Sequence, residues 1–198
     1  MIGYFAHFSP IFAELSVHLE VDLHSAEGWP LKKLFMQKVN SFIVDHTRLE
    51  PGIYESKING AYTYDVRFVA PRDAVKNGVF MDPKVAHTLE HFLADYLRTK
   101  TAEEFSEKVL YVGPMGCLTG FYLLTTEPFE PQFLRELILE ALEHILKAKE
   151  DEIPGASELT CGNYRYFDLE GTKNFINGVI VPNFKSELFS VDYPLIEA

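Results

Sequence analysis

The sequence predicts an α+β fold in which helices pack on one face of a largely antiparallel sheet within a single domain. Segments with alternating apolar residues are interleaved with two long segments whose apolar residues recur at helical spacing. The regular strand–helix–strand spacing of a parallel sheet is missing, which favours antiparallel pairing. With 198 residues and 47% hydrophobic content, the chain can bury a sizeable single core.

The strand predictions depend on alternation and on turn residues. Apolar and polar side chains alternate from Tyr62 to Val69, and Arg67 falls on the polar face, from which it can point out of the core. Two further predicted strands, Val109 to Val112 and Gly120 to Thr125, flank a turn at Gly113 to Gly116.

Three helices are predicted from their starts and their apolar stripes. Asp82 followed by Pro83 is a typical helix start, and apolar residues then recur at helical spacing to about Lys100. Pro131 opens a second helix with a continuous apolar stripe. Asp168 is expected to cap a third helix that ends near Asn177.

The domain organisation predicted from the sequence is an N-terminal extension, residues 1–35, followed by one domain, residues 36–198. Within the extension, Val17 to His24 alternates apolar and polar residues like a half-buried strand. The sequence leaves two interpretations open. The extension belongs to the native fold, or it precedes a start at Met36.

Charge and cysteine content exclude several classes of function. The net charge is -11, with 29 acidic and 18 basic residues, which argues against nucleic acid or an anionic membrane as a partner. No apolar run approaches the ~20 residues that span a bilayer, and the N-terminus lacks the early Lys or Arg of a secretory signal. Cys117 and Cys161 are too few for a disulfide framework, and two free thiols indicate the cytoplasm.

The strongest chemical signal lies on the best-predicted helix. His87 and His91 are one turn apart on the same face, so both imidazoles can reach one metal ion, and Glu90 lies beside them as a possible base. Composition alone would give about 0.02 such patterns in a chain of this length. The alternative is a helix whose histidines only pack or face water.

A catalytic zinc-like site needs a third protein ligand and one open position. Cys161 is the candidate, because it lies in a short loop just before the third predicted helix. Taken alone, a single cysteine would more often be a small buried hydrophobic residue.

Five separated motifs together resemble the LuxS family of S-ribosylhomocysteine-cleaving lyases, and they occur in the family's order. They are Ser41-Phe42-x-x-Asp45-His46-Thr47, Asp65-x-Arg67-Phe68, His87-Thr88-Leu89-Glu90-His91, Pro114-Met115-Gly116-Cys117-x-Thr119-Gly120 and Cys161-Gly162-Asn163-Tyr164-Arg165. The resemblance covers roughly residues 36 to 180 and leaves residues 1–35 unmatched.

The resemblance implies a cytoplasmic homodimer with sites shared at the subunit interface and a role in recycling S-adenosylhomocysteine. The substrate would be S-ribosyl-L-homocysteine, and the products would be homocysteine and 4,5-dihydroxy-2,3-pentanedione, the precursor of the autoinducer-2 signal. One divalent metal per chain is implied, with Fe²⁺ expected from the family and Zn²⁺ or Co²⁺ also compatible with two imidazoles and a thiolate.

The resemblance also implies three sets of site residues. The metal ligands would be His87, His91 and Cys161, the proton-transferring groups Glu90 and Cys117, and the substrate contacts Ser41, His46 and Arg67. This set suits a reaction that moves a carbonyl along a ribose until β-elimination becomes possible. The metal would polarise the carbonyl, and the two acid–base groups would transfer the protons. Without the other motifs, Cys117 would be a packed turn residue and Arg67 a solvated strand residue.

The chain departs from the family pattern at several positions near these motifs. Tyr111 stands where an acidic or amide side chain is usual, Gly113 replaces a serine, and Leu118 replaces a polar residue. Tyr166 and Phe167 replace a typical Asp–His pair. None of these residues is a predicted ligand or base, so activity is still expected, but with a changed pocket.

Two other functions compete with this interpretation. An inverzincin-like metallopeptidase would use Glu90 to activate water and Glu158 or Glu170 as the third ligand. A non-enzymatic metal-binding or interaction domain would have no need of Cys117 or Arg67. Loss of the metal on substitution of Cys161 would argue against the peptidase.

Overall fold

The structure is a computed structural model, and it describes residues 43–58 and 60–196. Three sequence-based predictions lie outside the described residues. These are the strand Val17 to His24, the boundary between residues 35 and 36, and the substrate contact Ser41.

Four strands form one antiparallel sheet in the order β1-β2-β4-β3. They are β1 (Gly52–Ile58), β2 (Ala61–Arg67), β3 (Val109–Pro114) and β4 (Gly120–Thr125). The antiparallel sheet and the three predicted strands are confirmed, while β1 was not predicted. Since β2 and β4 are the central strands, each has a paired neighbour on both sides.

The described helices are α1 (Pro71–Asn77), α2 (Pro83–Thr99), α3 (Glu103–Ser106), α4 (Pro131–Lys147), α5 (Leu169–Phe175) and α6 (Val181–Phe184). A 3₁₀ turn, Glu150–Glu152, follows α4, and a π-helical turn, Ile176–Ile180, joins α5 to α6. Both predicted caps are confirmed: the side chains of Asp82 and Asp168 accept backbone hydrogen bonds at the starts of α2 and α5. In the described part of the chain, no helix combines the length and apolar character needed to cross a bilayer.

The main core lies between one face of the sheet and the helices. Tyr64 and Val66 of β2, together with Phe121 and Leu123 of β4, belong to the same buried cluster as the apolar stripes of α2 and α4. Helix α2 packs against β3, and α4 packs against β1. Burial of a large apolar side chain such as Leu89 contributes about 1.5–3 kcal/mol, so this contact fixes α2 on the sheet.

Among residues 43–58 and 60–196, the other face of the sheet is covered by non-helical chain. Tyr54 of β1 stacks on Tyr193 with ring centroids 4.8 Å apart, in a second buried cluster completed by Val44 and Leu49. Because successive strand residues point to opposite faces, Asp65 and Arg67 lie on this face when Tyr64 and Val66 point into the main core. Both faces of β2 are therefore buried, but only one is apolar.

We expect Gly120→Ala to destabilise the protein by about 1–3 kcal/mol, because the pairing of β4 with β2 leaves no room for a side chain. A Cβ at Gly120 would lie 2.4 Å from the Val66 carbonyl oxygen and 3.0 Å from the Arg67 Cα, both of them backbone atoms. Gly116, in the same hairpin, is the matched control, since a Cβ there meets no atom within 4 Å. Urea unfolding of both variants gives the comparison, and equal midpoints would contradict it.

Candidate active site

Helix α2 and the loop that precedes α5 bring together three side chains that could hold a metal ion. The ligand atoms of His87, His91 and Cys161 all lie within 4.8 Å of one another. The Cys161 Sγ is 3.5 Å from the His87 Nε2, and the Glu90 Oε2 is 3.7 Å from the His91 Nε2. We call these four residues the metal cluster. All four are partly exposed, so a small molecule can reach them.

Backbone carbonyls orient both imidazoles. The His87 Nδ1 donates to the Tyr166 carbonyl at 2.9 Å, and the His91 Nδ1 donates to the Pro154 carbonyl at 2.7 Å. A carbonyl oxygen only accepts, so each Nδ1 carries the proton and each Nε2 keeps its lone pair for a metal. Gly155, which follows Pro154, has a φ of +65°, a left-handed conformation that favours glycine.

The loop from Gly155 to Asn163 presents the third ligand. The Thr160 hydroxyl donates to the Gly155 carbonyl at 2.8 Å, and the Cys161 N–H donates to the Ser157 carbonyl at 3.0 Å. The Asn163 N–H lies 3.4 Å from the Cys161 Sγ and can donate to it. Two neutral imidazoles and a thiolate suit a divalent transition metal, so this donor set fits the metal implied by the family resemblance.

A second group of polar side chains lies at one end of β2 and β4. The Arg67 Nε donates to the Asp65 Oδ1 at 3.0 Å, and its Nη2 donates to the Asp65 Oδ2, which makes a bidentate ion pair. The Arg67 Nη1 donates to the Thr119 Oγ1 and lies 3.5 Å from the Cys117 Sγ. We call Asp65, Arg67, Cys117 and Thr119 the thiol cluster.

The hydroxyl of Thr119 connects the guanidinium to the thiol. Since Arg67 has only donors, Thr119 accepts from it, and the Thr119 proton is then free to point at the Cys117 Sγ, 3.1 Å away. Arg67 is paired across the sheet with Gly52 and Gly120, so no cross-strand side chain crowds its guanidinium. Arg67 is only 2% exposed, so it is a buried residue rather than the solvated strand arginine of the alternative interpretation.

These contacts lower the pKa of the Cys117 thiol below its ordinary value. Partial burial opposes ionisation, but hydrogen bonds from the Thr119 hydroxyl and backbone, together with the positive charge of Arg67, outweigh it. For Arg67, burial opposes the charge, while Asp65 and Cys117 outweigh burial and raise its pKa. The cluster therefore favours a thiolate beside a permanently charged guanidinium.

The β3–β4 hairpin explains three of the departures from the family pattern. Leu118, which follows Cys117 in the turn, has a φ of 56°, and its side chain packs against the main core, so an apolar residue fits there. Its carbonyl accepts from the Met81 N–H at 3.0 Å, which ties the turn to the start of α2. Tyr111 and Gly113 are coupled, because a Cβ at Gly113 would lie 2.0 Å from the Tyr111 hydroxyl oxygen.

The remaining predicted contact, His46, lies in the segment that leads to the second buried cluster. Its Nδ1 is hydrogen-bonded to the Val44 carbonyl at 3.0 Å, and its ring is exposed. Burial raises the pKa of the Asp65 carboxyl, against the opposing effect of Arg67 and a smaller one of His46. Arg67 and Cys117 lie in one region of the structure, to which His46 is assigned as well, and the metal cluster lies in another.

No hydrogen bond joins the thiol cluster to the metal cluster within the residues that the structure describes. Arg67 and Asp65 lie on the face of the sheet that α2 does not cover. Asp65 was not predicted as the partner of Arg67, although their i, i+2 spacing in an alternating strand places both on one face. The carbonyls of Tyr166 and Pro154 were not predicted either, because no sequence pattern identifies them.

We expect Arg67→Lys and Thr119→Val to raise the pH at which Cys117 becomes reactive, because each weakens a contact that stabilises its thiolate. The measurement is the rate of iodoacetamide alkylation of Cys117 against pH, followed by peptide mass spectrometry to separate it from Cys161. Arg72→Lys is the control, since Arg72 is an exposed residue paired with Glu50. An unchanged midpoint in both cluster variants would contradict the assignment.

Comparison with known proteins agrees with this geometry. The family model for S-ribosylhomocysteinase (LuxS) matches residues 39–187. Three curated relatives are all named S-ribosylhomocysteine lyase. The relative from Borreliella burgdorferi is 39% identical over 145 residues, which cover 70% of this chain and 87% of that protein.

The relative from Finegoldia magna is 38% identical over 160 residues, which cover 77% of this chain and 96% of that protein. The relative from Thermus thermophilus is 38% identical over 152 residues, which cover 73% of this chain and 90% of that protein. The match spans most of the chain and includes every residue of the metal and thiol clusters. This chain therefore belongs to the S-ribosylhomocysteinase (LuxS) family.

Proposed function

We propose that this protein is an S-ribosylhomocysteine lyase. It cleaves S-ribosyl-L-homocysteine into homocysteine and 4,5-dihydroxy-2,3-pentanedione, the precursor of autoinducer-2, and so serves both the recycling of S-adenosylhomocysteine and signal synthesis. The observation that carries this proposal is the convergence of His87, His91 and Cys161 in a member of this family. The chemistry of the two clusters supports it further.

The reaction moves a carbonyl along the ribose until the thioether lies β to it, and each step removes a proton next to a carbonyl. His87, His91 and Cys161 would hold the divalent metal, which supplies polarisation of the carbonyl and stabilises the charge that develops on its oxygen. Cys117, as a thiolate, accepts the proton from carbon, and Glu90 returns or removes protons beside the metal ligands.

Arg67 and Thr119 prepare Cys117 for this role. A thiolate accepts a proton from carbon only while it is ionised, and the guanidinium and hydroxyl favour that state. Arg67 and His46, with Ser41, are the proposed substrate contacts. Fe²⁺ is the proposed metal, and Zn²⁺ and Co²⁺ also bind imidazole and thiolate ligands. Metal analysis of protein purified without oxygen distinguishes the three.

No contact in the described region favours the peptidase alternative. A peptidase of that class would need Glu158 or Glu170 as its third ligand, but the side chain that joins the two histidines is Cys161. The thiol cluster likewise has no role in a domain that only binds metal. Neither alternative explains why a buried arginine should stabilise a thiolate.

The active form is a homodimer in which each site combines the metal cluster of one chain with the thiol cluster of the other. Arg67 faces away from α2, and no hydrogen bond connects the two clusters among the described residues, as expected if they meet between chains. If Arg67 contributes to the site that contains the metal of the partner chain, Cys117 must contribute to the same site, because the two residues are in contact within one chain.

Exposed apolar side chains in the paired segments near residues 43 and 196 support this dimer. Ile43, Leu195 and Ile196 are 37%, 55% and 56% exposed, and Val44 forms a β-bridge with Leu195. The Ile196 N–H donates to the Ile43 carbonyl at 2.9 Å, so these side chains belong to one paired segment. Adjacent exposed apolar side chains are typical of surfaces that a partner covers.

We further propose a cytoplasmic location, because both cysteines are free and free thiols are typical of a reducing compartment. Cell fractionation with an antibody to the protein tests this proposal, and recovery outside the cytoplasm would contradict it.

The first prediction separates metal ligands from acid–base groups. His87→Ala and Cys161→Ala should lose both the metal and homocysteine release, because three ligands are needed to hold the ion. Glu90→Gln and Cys117→Ala should keep the metal but release homocysteine about 10²-fold more slowly or worse. Metal analysis and thiol detection on S-ribosylhomocysteine measure both. Full metal occupancy in Cys161→Ala would overturn the proposal. Failure of the metal-loaded wild type to release homocysteine from S-ribosylhomocysteine would also overturn it.

The second prediction tests the shared site by complementation. Mixed Arg67→Ala and Glu90→Gln chains should regain about a quarter of wild-type activity, since half of the dimers are mixed and one of their two sites is intact. Mixed Arg67→Ala and Cys117→Ala chains are the control, and they should regain none, because both changes affect the same cluster. No recovery in the first pair despite proven subunit exchange would mean that each chain builds its own site.

The third prediction concerns the proposed domain boundary. A chain that begins at Met36 should fold, bind metal and release homocysteine, because the family match begins at residue 39. Loss of folding or activity in this truncated chain, with the full chain active, would show that residues 1–35 belong to the functional domain.

A further inference from the structure

Phe167 lies against both histidines of the metal cluster. Its ring is stacked on the His87 imidazole, with centroids 4.4 Å apart and planes 11° apart. It meets the His91 imidazole edge to face, with centroids 4.9 Å apart and planes at 80°. The two imidazoles are themselves 4.7 Å apart at 89°, so the Phe167 ring touches each in a different orientation.

Hydrogen bonds on either side hold Phe167 in this place. The carbonyl of Tyr166 accepts from the His87 Nδ1, and the N–H of Asp168 donates to the Thr88 Oγ1 at 2.9 Å. The residues before and after Phe167 are thus both bound to α2. The ring is partly buried and packs against the main core, so its position is defined by the fold rather than by solvent.

A single hydrogen bond at Nδ1 limits rotation of the imidazole about its Cβ–Cγ bond but does not fix the ring plane, because a carbonyl oxygen accepts over a broad range of directions. A parallel ring at contact distance opposes this rotation for His87, and the edge contact opposes it for His91. Phenylalanine has no donor or acceptor, so it neither competes for the free Nε2 atoms nor offers a ligand of its own. Its ring also keeps water from the face of His87 that it covers.

We propose that Phe167 is a positioning residue for the metal: it fixes the planes of His87 and His91 so that their Nε2 atoms point to a common ion. Groups outside the ligand set that orient the ligands commonly change metal affinity by 10- to 100-fold when they are removed. This inference rests on the proposed metal site.

The test is metal affinity and the visible spectrum of the Co²⁺-loaded protein, neither of which requires substrate. Phe167→Leu fills a similar volume without a ring, and it should bind Co²⁺ at least about 10-fold more weakly, with shifted absorption bands. Phe167→Tyr keeps the aromatic plane and should restore both values. Tyr166→Leu is the matched control, since that side chain faces Lys84, with the Lys84 Nζ 5.3 Å from its ring centroid, and its carbonyl is retained.

Thermal unfolding of the metal-free proteins shows whether each variant folds, and Phe167→Met supplies the same test if the leucine variant does not. Wild-type affinity and spectrum in a folded Phe167→Leu or Phe167→Met variant would overturn the inference. Equal weakening by Tyr166→Leu would also overturn it, because the effect would then come from the loop as a whole. Absence of Co²⁺ binding by the wild type would instead overturn the proposed metal site.

Discussion

The alternation of side chains along β2 is the constraint on which the proposed site depends. Because Tyr64 and Val66 must enter the core beneath α2, Asp65 and Arg67 must lie on the other face of the sheet. A shift of one residue in this strand would exchange the two sets and bury a charged pair in the main core. The packing of the core therefore places α2, which carries two of the proposed metal ligands, on one face of the sheet. It places Arg67, beside the Cys117 thiol, on the opposite face.

The buried charge of Arg67 explains the composition of the thiol cluster. A guanidinium removed from water is costly unless anions and acceptors surround it, and Asp65 meets two of its nitrogens. The third nitrogen faces Thr119 and Cys117, so the thiolate becomes the second anion that the arginine can stabilise. The same interaction therefore offsets the burial of Arg67 and lowers the pKa of the Cys117 thiol.

The sequence predicted the elements whose signals are local. Helix α2 has a capping residue, a proline and a wide apolar stripe, and its predicted start at Pro83 is the observed one. Strand β1 was missed because Ile53 and Tyr54 are buried on opposite faces, which removes the alternation. The metal ligands could be proposed from spacing and resemblance, whereas the carbonyls that orient them, and the stacking of Phe167, depend on tertiary contacts that no local pattern encodes.

The central claim is that the metal cluster of one chain meets the thiol cluster of its partner. Paramagnetic broadening of a fluorine label tests it most directly. A Cys161→Ala chain, labelled at Cys117 and unable to bind metal, is mixed with a Cys117→Ala chain loaded with Co²⁺, and the ¹⁹F resonance is recorded. The account predicts strong broadening of the label in the mixed dimer. A sharp resonance there, with broadening only when Co²⁺ and label share a chain, would contradict it.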